Sequence, residues 1–339
     1  MDRTKLRWGV LSTANIGRAA VNPAIQASRN GTLLSVASRD GERARAFAEK
    51  WGIPRHHGSY EQLLDDAEID ALYLPLPNNL HAPWAIRALE RGKHVLCEKP
   101  LALNAAECRE IQNAATANGV KLMEAFMYRF HPRTEKAVEL VRSGALGAVR
   151  SIRSTFTFRL TRTSDIRLDP TMGGGALMDV GCYCVNVSRT LAGAEPVEAQ
   201  AWAIWGASGV DDQLSGALRF EDGLVAHFDC ALTLERRETY EVAGTDASIT
   251  VESGFRPGDG TVAIVEHRAR GEDIRHEIAG ADEYRLMVEH FADCVLHDRP
   301  VRYPVTEATA NMAAIEALYQ SARLGGRPVA EYVFARNPL

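Results

Sequence analysis

Leu6-Arg7-Trp8-Gly9-Val10-Leu11-Ser12-Thr13-Ala14-Asn15-Ile16-Gly17 decides the fold: an apolar run, a turn of small residues, then a helical pattern that continues to Ala27. A second apolar run, Leu33–Ala37, and a helical segment, Gly41–Trp51, repeat the alternation. It goes on through Ala71–Leu74, a helix over 79–91, a strand over 93–97, a helix over 104–117 and a strand over 120–126. Strands alternating with helices of about three turns need crossover connections, which set the strands parallel in one sheet. The class is α/β: residues 1–126 read as an N-terminal doubly wound parallel sheet of the Rossmann type, a fold that takes nucleotides at the carboxyl ends of its strands.

Past Arg129 the pattern changes. A helix over 132–142 precedes strands over 148–160, 197–206, 213–220, 224–232, 239–244, 247–252 and 261–266, and helices over 282–297 and 306–324 close the chain. Asp222-Gly223 between two of these strands is a hairpin signal. Successive strands joined by short turns imply an open, mostly antiparallel sheet, so residues 127–339 read as a C-terminal α+β domain. The boundary near 126–131 is a change of pattern with no Gly- or Pro-rich linker.

The chain has 339 residues, more than one core usually supports, which agrees with two domains. A net charge of −5 and the lack of a basic block interleaved with aromatics argue against nucleic acid as a partner. No apolar stretch approaches the ~20 residues that cross a bilayer, and Met1–Arg7 is short and polar, so the expectation is a cytoplasmic protein without a leader. Six cysteines lie scattered in apolar segments. Cys182-x-Cys184 is the one close pair, and residues two apart on a helix point apart, so no metal site is expected.

A dinucleotide fold wants glycines between its first strand and first helix, so that backbone N–H groups can approach the pyrophosphate. Here Ser12, Thr13, Ala14, Asn15 and Ile16 precede Gly17, and only the third glycine of the usual three remains. The end of the second strand selects the cofactor: Asp or Glu suits a ribose hydroxyl, Arg a 2′-phosphate. Ser38-Arg39 favours the phosphate and hence NADP, while Asp40 one residue later keeps NAD open.

From Ala176 to Leu191 the chain reads as a helix apolar on most faces, preceded by Gly173-Gly174-Gly175. Among its polar residues, Asp179, Tyr183, Asn186 and Thr190 fall on one stripe. A carboxylate and a phenol on a buried helix need partners or a cleft to face; either they satisfy each other in a core or they do chemistry. Upstream, Lys99 stands just past the strand ending at Cys97, where ligands of open α/β sheets bind, and Pro100 restricts it to extended geometry.

Glu98-Lys99-Pro100, with Lys93-His94-Val95 before it, resembles the signature of the glucose–fructose oxidoreductase/inositol dehydrogenase (Gfo/Idh/MocA) family, and Gly173–Asn186 resembles its second signature. Pro75-Leu76-Pro77-Asn78 with His81, Met127-Tyr128-Arg129-Phe130-His131-Pro132, and Tyr303-Pro304 followed by Asn311-Met312 extend the likeness over nearly the whole chain. Tyr183, where many members have histidine, and Arg167 resemble the branch that holds dimeric dihydrodiol dehydrogenase, xylose dehydrogenases and sugar ketoreductases. The resemblance implies a C-terminal domain that binds substrate and pairs through its sheet into a homodimer or homotetramer.

Hydride exchange between a carbinol and a nicotinamide also moves a proton on or off oxygen. A phenol with an ordinary pKa near 10 needs a nearby cation to act as a base at neutral pH. Tyr183 is therefore the expected acid/base, Lys99 its tuner and substrate anchor, and Asp179 the residue that orients Lys99 or a substrate hydroxyl. Arg129, Arg167 and Asn186 are expected to join them at the substrate. Pro75, Pro77, Asn78, His81, Glu98 and Lys99 are expected, with the turn and Ser38-Arg39, to hold the cofactor. The expected activity is NADP(H)-dependent oxidation or reduction of a sugar or polyol. A trans-dihydrodiol or dicarbonyl oxidoreductase and a non-catalytic dinucleotide-sensing regulator are the alternatives.

Overall fold

The computed structural model describes residues 4–162, 164–268 and 271–330; residues 1–3 and 331–339, which the expected domain spans include, lie outside the described residues. The chain forms two units. One comprises the chain up to Met127 together with Asp282–Thr309, the other runs from Tyr128 to Ala281 and resumes at Ala310.

In the first unit β1 (Leu6–Leu11) leads through the turn to a π-helical segment, Gly17–Val21, that runs into α1 (Asn22–Ala27). Then follow β2 (Gly31–Ala37), α2 (Gly41–Trp51), β3 (Arg55–His57), α3 (Tyr60–Leu64), β4 (Ala71–Leu74), α4 (His81–Glu90), β5 (His94–Cys97), α5 (Ala105–Ala117) and β6 (Leu122–Glu124). The six strands lie in the order β3-β2-β1-β4-β5-β6 and pair in parallel throughout. The order reverses between β1 and β4, which opens a crevice at their carboxyl ends. Trp8, Val10, Leu72, Tyr73 and Val95 are fully buried, as strands covered on both faces require. β3 and α3 lie outside the sequence expectations. β3 is three polar residues, Arg55–His57, with no apolar pattern to read.

In the second unit α6 (Pro132–Arg142) precedes β7 (Val149–Arg159), and a second π-helical segment, Leu177–Gly181, runs into α7 (Cys182–Ala192). The strands β8 (Glu198–Trp205), β9 (Asp211–Arg219), β10 (Val225–Ala231), β11 (Thr233–Gly244), β12 (Ala247–Glu252), β13 (Val262–Arg268) and β14 (Asp273–Ile278) complete an eight-stranded sheet. Its order is β14-β13-β12-β11-β7-β10-β9-β8, antiparallel except where β10 runs parallel to β7. The hairpin at Asp222-Gly223 is present: Phe220 N–H donates to Leu224 O at 2.9 Å, and Gly223 takes φ 86°. α7 covers β7 and β10, with Ile152, Ala226, Cys230 and Val242 buried beneath it. β14 also lies outside the sequence expectations, because Asp273-Ile274-Arg275-His276-Glu277-Ile278 is a charged edge strand whose few apolar residues are half-exposed.

The chain then returns. α8 (Glu283–Leu296), expected in the C-terminal domain, belongs to the first unit, where Phe291 packs on Trp8 with ring centroids 5.5 Å apart. Arg29 pairs with Asp293, and Asn30 Nδ2 donates to Glu289 O at 2.9 Å. A single cut near residue 126 therefore does not separate the units, because apolar periodicity marks a buried helix without saying which sheet it covers. α9 (Val305–Arg323) ends the described elements.

Candidate functional site

The turn after β1 explains its missing glycines. Ser12 takes φ 139°, a conformation glycine adopts freely and other residues rarely. Its Oγ accepts the Ala14 N–H at 3.0 Å, which closes the turn locally. Among the described residues no side chain accepts a hydrogen bond from the N–H of Asn15, Ile16 or Gly17, at the start of the helix that follows. A bare helix N-terminus at a reversal of strand order fits a pyrophosphate.

At the end of β2, Ser38 is buried and its Oγ accepts the Asp40 N–H at 3.2 Å, while Arg39 is exposed. Asp40 caps α2, accepting the Arg43 N–H at 3.1 Å. The carboxylate that kept NAD open is thus occupied with the helix, and the exposed guanidinium beside it fits a 2′-phosphate. Sequence reasoning missed Tyr60, which packs edge-on against Trp84 at 4.9 Å. Burial pushes its phenol up, opposed by the charge of Arg39 and by a hydrogen bond with Ser12. Tyr60 therefore joins the turn to the selector residue. Its sequence context, an aromatic opening a short helix, carries no signal of that.

Past β5, Glu98 Oε1 accepts the Tyr73 hydroxyl at 2.6 Å, and Glu98 Oε2 accepts the Lys99 N–H at 3.3 Å. Burial and the Glu98 charge push the Tyr73 phenol well up, so it stays a donor. The Lys99–Pro100 peptide is cis, and Leu101 N–H donates to Glu124 Oε1 at 2.8 Å. His81, expected to touch the cofactor, has other partners. Its ring is fully buried, with Nδ1 2.8 Å from Pro100 O and Nε2 2.9 Å from Leu76 O. Burial pushes the ring down to about 4, so it stays neutral and donates from one nitrogen. His81 thus braces the Leu76–Asn78 and Glu98–Pro100 loops against each other, and the expectation of direct contact is corrected. Pro75 is buried, 3.7 Å from where a Cβ on Gly17 would stand; Pro77 and Asn78 are half-exposed.

The second unit holds the polar stripe. Asp179 Oδ2 accepts Arg167 Nε–H at 2.6 Å, and Arg167 also donates from Nη1 to Asp165 Oδ1 at 3.1 Å. The Asp179 charge raises the Arg167 guanidinium further. Gly175 N–H donates to Arg167 O at 2.8 Å, and Asp179 N–H to Gly175 O at 3.0 Å. A Cβ on Gly174 would stand 2.4 Å from Arg167 O, so the glycine run lets two backbones touch. Tyr183 lies among Tyr128, Phe156 and Phe255, with ring centroids 5.4–5.8 Å away. Asn186, expected at the substrate, is 1% exposed and accepts the Tyr128 hydroxyl at 2.6 Å. It therefore fixes that aromatic wall, and this expectation too is corrected. Arg129 is buried. The stripe is real, and its members differ: the carboxylate is ion-paired, the amide is structural, and the phenol sits in an aromatic nest.

Comparison with known proteins agrees. Residues 6–126 match the family described as "Oxidoreductase family, NAD-binding Rossmann fold", and residues 134–250 match the GFO/IDH/MocA C-terminal domain. The chain is 41% identical to D-xylose 1-dehydrogenase (NADP(+)) 2 of Haloferax volcanii over 94% of its own length and 98% of that protein's. It resembles the crystal structure of aldose-aldose oxidoreductase from Caulobacter crescentus complexed with glycerol, with TM-score 0.89 and 29% identity over 96% of this chain and 99% of that one. It also resembles KijD10, a 3-ketoreductase from Actinomadura kijaniata in complex with NADP and TDP-benzene, with TM-score 0.88 and 27% identity over 94% and 98%. The two signatures, the two sheets and these relatives converge: the chain belongs to the Gfo/Idh/MocA family of oxidoreductases.

Proposed function

We propose that this protein is an NADP(H)-dependent oxidoreductase that interconverts a carbinol and a carbonyl on a sugar or polyol. The observation that carries the reading is on α7: Asp179 is neutralised by Arg167, which leaves Tyr183 as the stripe's group able to give or take a proton. The 41% identity with D-xylose 1-dehydrogenase (NADP(+)) 2 of Haloferax volcanii, over 94% of this chain, supports the substrate class. When bound, the nicotinamide would supply the hydride acceptor or donor. Ser12, Thr13, Ala14, Asn15 and Ile16 would hold its pyrophosphate, Ser38 and Arg39 its 2′-phosphate, and Pro75, Pro77, Asn78 and Glu98 the nicotinamide side.

In this reading Tyr183 exchanges the proton with the substrate oxygen, and Lys99 hydrogen-bonds that oxygen and lowers the phenol toward neutrality. Arg167 and Asp179 act as one ion-paired unit that orients substrate hydroxyls, and Arg129 serves beside them. The test is a panel of aldoses, keto-sugars, cyclitols and trans-dihydrodiols, followed by absorbance of reduced cofactor with NADP⁺ and NAD⁺ in parallel. D-xylose or a related aldose should turn over with NADP⁺. A preference for NAD⁺ would overturn the roles of Ser38 and Arg39. Turnover of dihydrodiols alone would change the substrate class, and cofactor binding without turnover would favour a regulator.

The partner we propose is a second copy meeting the open face of the sheet. The support is β8, the edge strand next to β9, which exposes Trp202 (54%) and Ile204 (61%). Light scattering on Trp202→Glu should show a smaller particle than the wild type. A cytoplasmic location suits six buried cysteines that form no disulfide among the described residues; among the described residues no helix is long and apolar enough to cross a membrane.

A further inference from the structure

Asp211 opens β9 and is 1% exposed. Among the described residues no cation pairs with it. Its Oδ2 accepts the Leu177 N–H and its Oδ1 the Tyr319 hydroxyl, each at 2.7 Å. Leu177 is the first residue of the π-helical segment that carries Asp179, and Tyr319 lies on α9. Gly175 packs against the same group: with φ 120°, its Cβ would stand 2.1 Å from Oδ1 and 2.9 Å from the Tyr319 oxygen. Among the described residues no other side chain accepts an N–H of Ala176, Leu177 or Met178 at the start of this helix. A helix N-terminus presents unbonded N–H groups and partial positive charge, which an anion satisfies.

We propose that Asp211 is a positioning residue, whose carboxylate holds Leu177 and Gly175 in place and thereby sets Asp179, Arg167 and Tyr183 for reaction. The chain of contacts is short. Gly175 donates its N–H to Arg167 O and accepts that of Asp179, so displacing Gly175 moves both members of the ion pair. The proposal rests on the reading of Tyr183 as the acid/base. The groups facing Asp211 are the Leu177 N–H, Tyr319 on α9, Cys230 on β10 and the neighbouring Asp212, with Arg323 stacked on the Tyr319 ring. Burial pushes Asp211 up to about 6, against the pull of the Tyr319 and Leu177 donors. A carboxyl raised in the fold binds protons more tightly there than in the unfolded chain. Its contribution to stability is therefore greatest at low pH and is lost as pH rises through about 6.

The test compares Asp211→Ala with Asp211→Asn, whose Oδ1 can still accept the Leu177 N–H. The alanine variant should lose kcat about tenfold or more, with the NADP⁺ dissociation constant within about twofold, and the asparagine variant should recover to within about threefold of wild type. Deuterium uptake by amides 176–183, read without cofactor or substrate, should quicken in the alanine variant alone. The melting temperature of the wild type relative to Asp211→Asn should climb as pH falls from about 7 to about 4.5. Wild-type kcat in the alanine variant, or an asparagine variant as slow as the alanine one, overturns the proposal. Where the alanine variant does not fold, Gly175→Ala should lose about tenfold and Tyr319→Phe less than about threefold; the reverse order overturns it. Deuterium uptake judges Asp211 even if Tyr183→Phe shows the catalytic reading itself to be wrong.

Discussion

Two helices of this chain begin alike, with a π-helical segment after a run of small residues, yet their positive ends are treated in opposite ways. After β1, among the described residues, no side chain caps the helix start, and Ser12 takes a positive φ in the turn before it. After Gly173–Gly175 the helix start is filled from within by the carboxylate of Asp211. An open end fits a ligand's phosphates, whereas a filled end fits only the chain that built it. In the proposed reading the same local motif serves capture in one unit and rigidity in the other, and the glycines follow suit. A Cβ added at Gly17 would have its nearest foreign atoms 3.3–3.7 Å away, but one at Gly174 would meet a carbonyl at 2.4 Å.

The sharpest way to break this contrast is at the filled helix. Tyr183→Phe should lower kcat by about 10²–10⁴-fold with cofactor affinity unchanged, measured by stopped-flow and by fluorescence titration. If it turned over near the wild-type rate, rigidity there would serve no chemistry. At the open helix's side, Arg39→Ala should raise KM for NADP⁺ by about 10- to 100-fold and leave NAD⁺ kinetics nearly alone. Equal losses with both cofactors would remove Arg39 from the 2′-phosphate.

The glycines sharpen the comparison further. Gly174→Ala should destabilise by about 3 kcal/mol in urea titration, because the methyl meets backbone that cannot yield. Gly17→Ala should stay within about 1 kcal/mol of wild type, since the helix gain of alanine offsets a tight contact with Asn22 Oδ1. The smallest effect belongs to Ser12→Gly. Relief of a positive φ and loss of the Oγ hydrogen bonds with Ala14 and Tyr60 nearly cancel, so stability should change by no more than about 1 kcal/mol. A larger drop would mean that the serine hydroxyl, and not the conformation, shapes the turn.

What sequence reveals here depends on what leaves a local trace. Alternating strands and helices, the hairpin at Asp222-Gly223 and the stripe on α7 each follow from periodicity or turn chemistry, and the structure has them. β3 and β14 leave none, being short or charged edge strands. Lys99, Asp179 and Tyr183, the site proposed above, can be singled out in the sequence because ionisable residues stand at a strand end and on a mostly apolar helix. His81 and Asn186 carry the same polarity, but their partners, two carbonyls and the Tyr128 hydroxyl, come from positions 5 to 58 residues away. Asp211 and Tyr60 are invisible for the same reason: their meaning lies in what tertiary structure brings to them.

The return of α8 to the first unit bears on how the protein is made. Trp8 is synthesised long before Phe291, which packs against it and follows only after the whole segment from Tyr128 to Ala281. A ribosome-bound chain that stops short of residue 282 has a parallel sheet with one apolar flank still bare. The nucleotide-binding unit is therefore no cassette to be lifted out by a single cut. Its excision would need α8 stitched back on, and its folding during synthesis waits for the sheet inserted in its middle.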